Sequence, residues 1–198
     1  MNSSDLARDR ILQVAKEEFG IHGYKLASTN AIYPKAKVSK GLIFKTFGSK
    51  AGLFYVIFET ALDSMISELN KLDTSKYADI FDKIVSIIMW KLEYSKLHPH
   101  DTSIMLEAVG KPPKGLEAKI GAHLQDLTKL SIRYFFDDIP MEKIRDDFSK
   151  ADVMNYLEYA ISGLQAKYIN QELSIEYMNS IRDESIRFLK TVLRGMEK

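Results

Sequence analysis

Six lysines and no acidic residue fall within residues 25–50: Lys25, Lys35, Lys37, Lys40, Lys45 and Lys50. Ser28, Thr29, Ser39 and Thr46 are interleaved with them. Ammonium groups and hydroxyls in this mixture suit a phosphate backbone, since lysines neutralise it and short polar side chains bond its oxygens. Charge alone favours a plainer reading, a solvated lysine-rich face. Catalytic chemistry finds less support. The chain has no GxSxG elbow, no HExxH and no phosphate-binding glycine loop. It has no cysteine, which excludes thiol catalysis, disulfides, Cys-ligated zinc and Cys-ligated iron–sulfur clusters. The histidines are His22, His98, His100 and His123. His98-Pro99-His100-Asp101 could look like a metal site, but it sits at a helix break where His and Asp serve as caps and turn residues. No catalytic residue, metal or cofactor is expected.

The elements that must position the lysines are two short helices and a tight connection. Ser28 or Thr29 can cap the first, with Ile32 and Ala36 facing inward. Lys37-Val38 makes the turn, with Val38 as its buried plug. Ser39 caps the second helix, 40–47, whose Ile43 and Phe47 pack inward four residues apart. Lys40, Gly41, Leu42, Lys45 and Thr46 are left outward or near the helix N-terminus. This is the anatomy of a helix-turn-helix, whose second helix enters the DNA major groove N-terminus first.

These residues also resemble the TetR/AcrR family of bacterial transcriptional regulators. The resemblance is carried by Phe19-Gly20-Ile21-His22-Gly23-Tyr24, Ser28-Thr29, Ile32, Ala36, Val38-Ser39-Lys40-Gly41-Leu42-Ile43-Phe44, Phe47-Gly48-Ser49-Lys50 and Leu53. It covers about the first 58 residues; the rest agrees only in helix number, helix length and size. The resemblance implies double-stranded operator DNA as a partner, contacted by Ser28, Thr29, Ser39, Lys40, Gly41, Leu42, Phe44, Lys45, Thr46 and Lys50. It implies a homodimer built on the last two long helices, about 150–171 and 174–195. Ala160 and Gly163 would allow close approach there, beside Tyr156, Leu164, Ile181, Phe188 and Leu189. It further implies a small apolar or aromatic effector among Trp90, Tyr94, Met105, Val109, Leu127, Ser131, Phe135 and Tyr159, all of which serve equally as plain core. Glu107 and His123 would add polar recognition if buried.

The chain departs from that family's pattern in several places. Pro34 falls inside the first helix of the motif, which must start late, near Ala31, or kink. Tyr33 stands where a small alanine is usual, and Lys37 replaces the glycine of the turn. Thr46 and Phe44 replace hydroxyl- or ring-bearing phosphate contacts, and Gly52 replaces the acid that would complete the cap at Ser49. These changes keep a second reading open: a helical dimer whose DNA binding is weakened or lost, acting through protein or small-molecule contacts.

The whole sequence fits this frame. Its 198 residues are 45% apolar and 28% charged, an ordinary globular composition for one or two domains. The first fifty residues carry nine Lys/Arg against four Asp/Glu, while the remainder is net acidic. Apolar spacing is helical throughout. Stripes run over Ile11–Phe19 in a helix ending at Gly23, over Leu53–Leu69 in one beginning at Ser49, and over 76–97, 101–110, 115–136, about 153–168 and from about 174. A minor helix is expected over 141–148, and Ser149-Lys150-Ala151-Asp152 resembles a capping box. The expected fold is all-α, with a helix-turn-helix head at 1–48 and a helical regulatory and dimerisation domain at 49–198. No apolar run approaches a bilayer span, and the polar N-terminus lacks a signal peptide's apolar core. A cytoplasmic protein of bacterial type, nucleoid-associated when bound to DNA and without a membrane partner, is the expectation.

Overall fold

Apolar residues recurring every three to four positions build helices, and the computed structural model describes them over residues 3–73, 80–136, 139, 141–168 and 175–198. Among the described residues there are nine α-helices and no strand. They are α1 (Ser3–Leu26), α2 (Thr29–Lys35), α3 (Lys40–Phe47), α4 (Lys50–Leu69), α5 (Ile80–Leu97), α6 (Pro99–Gly110), α7 (Glu117–Phe136), α8 (Lys150–Tyr168) and α9 (Ile175–Arg194). The expected residues 76–79 of α5 and the start of α9 at Ser174 lie outside the described residues. The fold is all-α, with an N-terminal helix-turn-helix and a C-terminal helical domain. No single described helix is long and apolar enough to cross a membrane.

Two compact units divide the chain. One comprises Met1–Lys71 and Tyr94–Gly121, the other Leu72–Glu93 and Ala122–Lys198.

The first unit is built on α4. Its Leu53, Phe54, Ile57, Phe58, Ala61 and Leu62 are all buried, which is the wide stripe read from the sequence. Ile11, Ala15 and Phe19 of α1 join this core, as do Ile32, Ile43, Ile104 and Ala108. Phe19 and Tyr24 both meet the Phe54 ring edge-on, at 5.3 and 5.2 Å. Such edge-to-face pairs add about 0.5–1.5 kcal/mol beyond the burial of the rings. At Gly23 the helical run of α1 breaks on a positive φ of 68° before resuming for one turn to Leu26.

α6 is anchored at its first turn. Asp101 is 1% exposed, and the Lys16 ammonium of α1 lies 2.7 Å from each of its carboxylate oxygens. A buried carboxylate is tolerated only when paired in this way.

In the second unit Ser149 and Asp152 form the expected reciprocal cap. The Ser149 N–H donates to Asp152 Oδ2 at 2.9 Å, and the Asp152 N–H to Ser149 Oγ at 3.2 Å. Ile139, Ile144, Val153, Leu157, Leu193 and Met196 make one core cluster. The helix expected over 141–148 is replaced by a single 3₁₀ turn, Met141–Lys143, followed by a bridge from Ile144 to Glu197. The reason is competition. The Arg145 N–H donates to the Met196 carbonyl at 2.9 Å and the Lys198 N–H to that of Lys143 at 3.0 Å. These bonds satisfy backbone groups that an isolated turn, costly to nucleate, would leave open.

Candidate nucleic-acid interface

The motif begins at Ser28. Its backbone is extended, and its hydroxyl accepts from the Asn30 N–H at 3.2 Å, so it is Ser28 rather than Thr29 that caps α2. The helix starts at Thr29, not late at Ala31, and Pro34 lies one residue from its end. There the proline forfeits one N–H bond toward Asn30 without interrupting a long ladder. The end is a Schellman motif. The Val38 N–H donates to the Tyr33 carbonyl and the Lys37 N–H to that of Pro34, each at 3.1 Å. Lys37 occupies the left-handed position with φ 54°, the one non-glycine positive φ among the described residues. A lysine in place of the glycine of the turn therefore carries backbone strain of about 1–2 kcal/mol. Val38 is half-buried rather than a fully sealed plug.

Ser39 caps α3, its hydroxyl accepting from the Leu42 N–H at 3.2 Å. A hydroxyl that accepts in this way still has its own O–H to donate to a phosphate oxygen. Ile43 is fully buried and Phe47 half-buried beneath the helix. Lys40, Gly41, Phe44, Lys45 and Thr46 are exposed, while Leu42 is half-buried. A Cβ added at Gly41 would meet nothing nearer than Ser39 Oγ at 4.0 Å, so the helix surface there is flat and open to another molecule. Gly48 ends α3 with φ 74°, its N–H donating to the Phe44 carbonyl at 2.8 Å, and Ser49 caps α4 through the Gly52 N–H at 3.0 Å. The axes of α3 and α4 then diverge by 66°.

Lys50 stands apart from Lys40 and Lys45. Its ammonium lies 4.7 Å from the centroid of the Tyr24 ring and donates to the Lys25 carbonyl at 3.4 Å. Partial burial pushes its pKa below the ordinary lysine value, opposed by the nearby charges of Glu107 and Glu18.

Three residues that the spacing of the motif does not reveal hold it in place. On α1, Glu18 is 6% exposed, and its Oε1 accepts from the Ser28 N–H at 3.1 Å. Two turns earlier, Arg10 Nε donates to the Ala36 carbonyl at 3.1 Å. On α6, Glu107 Oε2 accepts from the Tyr24 N–H at 2.7 Å, beside the break at Gly23. The available signal was a carboxylate beside Phe19 on the apolar face of α1, where a charge requires a partner.

The residues proposed for an effector fall in both units. Tyr94 is buried and stacked on His98 at 4.3 Å, and Met105 and Val109 are half-buried on α6. Trp90 and Leu127 are half-buried in the second unit, and Tyr159 is 67% exposed. His123 is half-buried. The side chains of Ser131 and Phe135 lie outside the described residues. Of the residues proposed for dimerisation, Ala160 and Leu189 are buried and Leu164 half-buried. Tyr156, Gly163 and Phe188 are exposed, and the side chain of Ile181 lies outside the described residues. In the His98–Asp101 cluster the imidazole approaches the carboxylate only at 4.0 Å, and Lys16 already occupies that carboxylate.

Residues 11–56 match the family described as bacterial regulatory proteins, tetR family. Residues 78–197 match the tetracyclin repressor-like C-terminal domain. No curated protein matches. Among solved structures, a TetR-family transcriptional regulator from Pectobacterium atrosepticum is 17% identical with a TM-score of 0.65, over 100% of this chain and 98% of its own. The regulator FadR from Bacillus subtilis, in complex with stearoyl-CoA, is 15% identical with a TM-score of 0.63, over 96% and 100%. NalD, the secondary repressor of the MexAB-OprM multidrug efflux pump in Pseudomonas aeruginosa, is 16% identical with a TM-score of 0.58, over 100% and 98%.

Proposed function

The chain belongs to the tetR family of bacterial regulatory proteins, and from that membership we propose that it is a homodimeric repressor that binds a palindromic operator and is released by a small apolar or aromatic effector. The single observation that carries the DNA-binding part is the surface of α3. Lys40, Gly41, Lys45 and Thr46 are exposed on a helix capped by Ser39 and fixed from below by the buried Ile43. That arrangement sets side chains toward a groove from a rigid element, as sequence readout requires. Ser28, Thr29, Ser39, Leu42, Phe44 and Lys50 complete the DNA-facing set we propose, within a head at 1–48. The remainder, 49–198, serves regulation and dimerisation in the bacterial cytoplasm.

Dimerisation draws support from α8 and α9, where Tyr156, Tyr159 and Phe188 are between 43% and 67% exposed. Large apolar and aromatic groups left in water along the proposed interface gain from a second copy covering them. Small Ala160 and Gly163 lie on the same helix. An apolar effector is supported by the stearoyl-CoA of FadR, and repression by the role of NalD.

The test is selection of DNA from a random duplex pool by the full chain, followed by affinity against salt on the enriched sequence. A palindrome is expected. Lys40→Ala and Lys45→Ala should each lower the salt slope by about 0.9 for every phosphate they no longer neutralise. The strained Lys37 and the inward engagement of Lys50 favour a second reading, in which DNA binding is weakened and the dimer acts through other contacts. Failure of a folded dimer to enrich any sequence at low salt would select it.

A further inference from the structure

Helix α2 is a poor helix by its own resources. It has seven residues, one of them proline, and it ends on a lysine in the left-handed region. A segment this short does not hold its shape by backbone bonding alone. Two side chains of α1 grip its ends. Glu18 receives the N–H of Ser28, the residue that caps the N-terminus, and Arg10 donates to the carbonyl of Ala36, the residue that closes the C-terminus. The acid faces the positive end of the helix dipole and the base its negative end. Eight residues of α1 span about 12 Å and seven residues of α2 about 10 Å, so the grips and the helix agree in length. Lys35 and His22 flank the Glu18 carboxylate at 3.9 and 4.0 Å.

We infer that Arg10 and Glu18 form a two-point clamp that sets α2 along α1, and through the turn at Lys37 sets the seating of α3 on DNA. They are positioning residues and do not themselves touch DNA. The part concerning DNA rests on the function proposed above; the clamp itself does not. Glu18 does for Ser28 what a capping-box residue would do, because the third helical position is Ala31, which has no acceptor to offer. Glu18→Leu leaves the Ser28 N–H without its acceptor and so also costs stability, whereas Glu18→Gln removes the charge and keeps the acceptor, which separates the charge from the grip.

The experiment compares wild type, Glu18→Leu, Glu18→Gln and Arg10→Met as full chains. Three quantities are read: the exchange rate of the Ser28 amide, affinity for the duplex enriched by wild type, and the salt slope of that affinity. Glu18→Leu should speed exchange of the Ser28 amide at least tenfold and weaken DNA binding at least tenfold. Its salt slope should stay unchanged, since the same phosphates are still neutralised. Glu18→Gln should restore both to within about threefold, because its amide carbonyl still accepts the Ser28 N–H. Arg10→Met, at an exposed position that does not threaten folding, should weaken DNA binding about three- to tenfold with the same slope. Equal impairment by Leu and Gln, wild-type behaviour of Glu18→Leu, or a slope lowered by one in Arg10→Met would overturn the inference. If wild type enriches no DNA, the DNA reading fails, while Ser28 exchange still decides whether the clamp exists.

Discussion

A Cβ at Gly52 would lie 2.0 Å from the carbonyl oxygen of Phe47, well inside van der Waals contact. The obstacle is backbone, so no rotamer change relieves it. The corner between α3 and α4 therefore closes only over a glycine, and an acid completing the cap at Ser49 has no room. Gly52→Ala should cost about 3 kcal/mol and lower the melting temperature by roughly 6–12 °C. An unchanged melt would mean that the corner is wide enough in solution to admit a methyl group.

Lys37 makes the opposite prediction. Its φ of 54° is disfavoured for any residue with a Cβ. Lys37→Gly relieves that strain but loosens the unfolded chain, a partial offset of about 0.4–1 kcal/mol. The net expectation is a gain of about 0.5–1 kcal/mol in thermal or urea unfolding. A loss of stability on this substitution would place Lys37 in some interaction that outweighs its backbone.

Tyr55 should govern the alkaline limb of stability. Its hydroxyl is pushed up to about 12 by burial first, then by its hydrogen bond to Glu59 and the charge of that residue. The folded state thus holds the proton more tightly than the unfolded chain, whose tyrosine titrates near 10. The associated stability is complete below pH 10 and is lost as pH rises through the folded value. Tyr55→Phe should flatten the fall in stability over that interval and delete one late step from the phenolate absorbance titration.

Ser149 and Asp152 offer an acid-side counterpart in the second unit. Hydrogen bonds from the Ser149 side chain and backbone hold the Asp152 carboxyl below the ordinary aspartate range. The cap is therefore fully formed above that range and is lost as pH falls through the depressed value. Ser149→Ala should lower the melting temperature by about 2–4 °C at neutral pH. It should also return the Asp152 titration, followed by NMR, toward 3.8.

The fold was legible wherever one face of a helix meets a core. The period of Ile11, Ala15 and Phe19, and that of Leu53, Ile57 and Ala61, named buried residues because burial and spacing are the same fact in a helix. The outline of the motif was legible for another reason: Ser39, Ser49 and Ser149 sit where orphan N–H groups need an acceptor. Long-range polar bonds were not legible. Nothing local to Glu18, Arg10 or Glu107 says that each will serve a backbone group 10, 26 or 83 residues away. The bridge between Ile144 and Glu197 escaped likewise, since its partners are far apart in sequence.

A helix borne by brackets at its two ends makes few demands on its own middle. Because Glu18 and Arg10 carry α2 through backbone atoms of Ser28 and Ala36, they are indifferent to the side chains at those positions and to most of those between. Ile32 and Ala36, both buried, and Ser28, whose hydroxyl caps the helix, are constrained from within. Asn30, Pro34 and Lys35 face outward and are free to drift. The consequence is tolerance: this stretch can accept substitutions, even a proline, while the neighbouring α3 keeps its place. The outer surface of α2 can thus change without first rebuilding the scaffold that presents it.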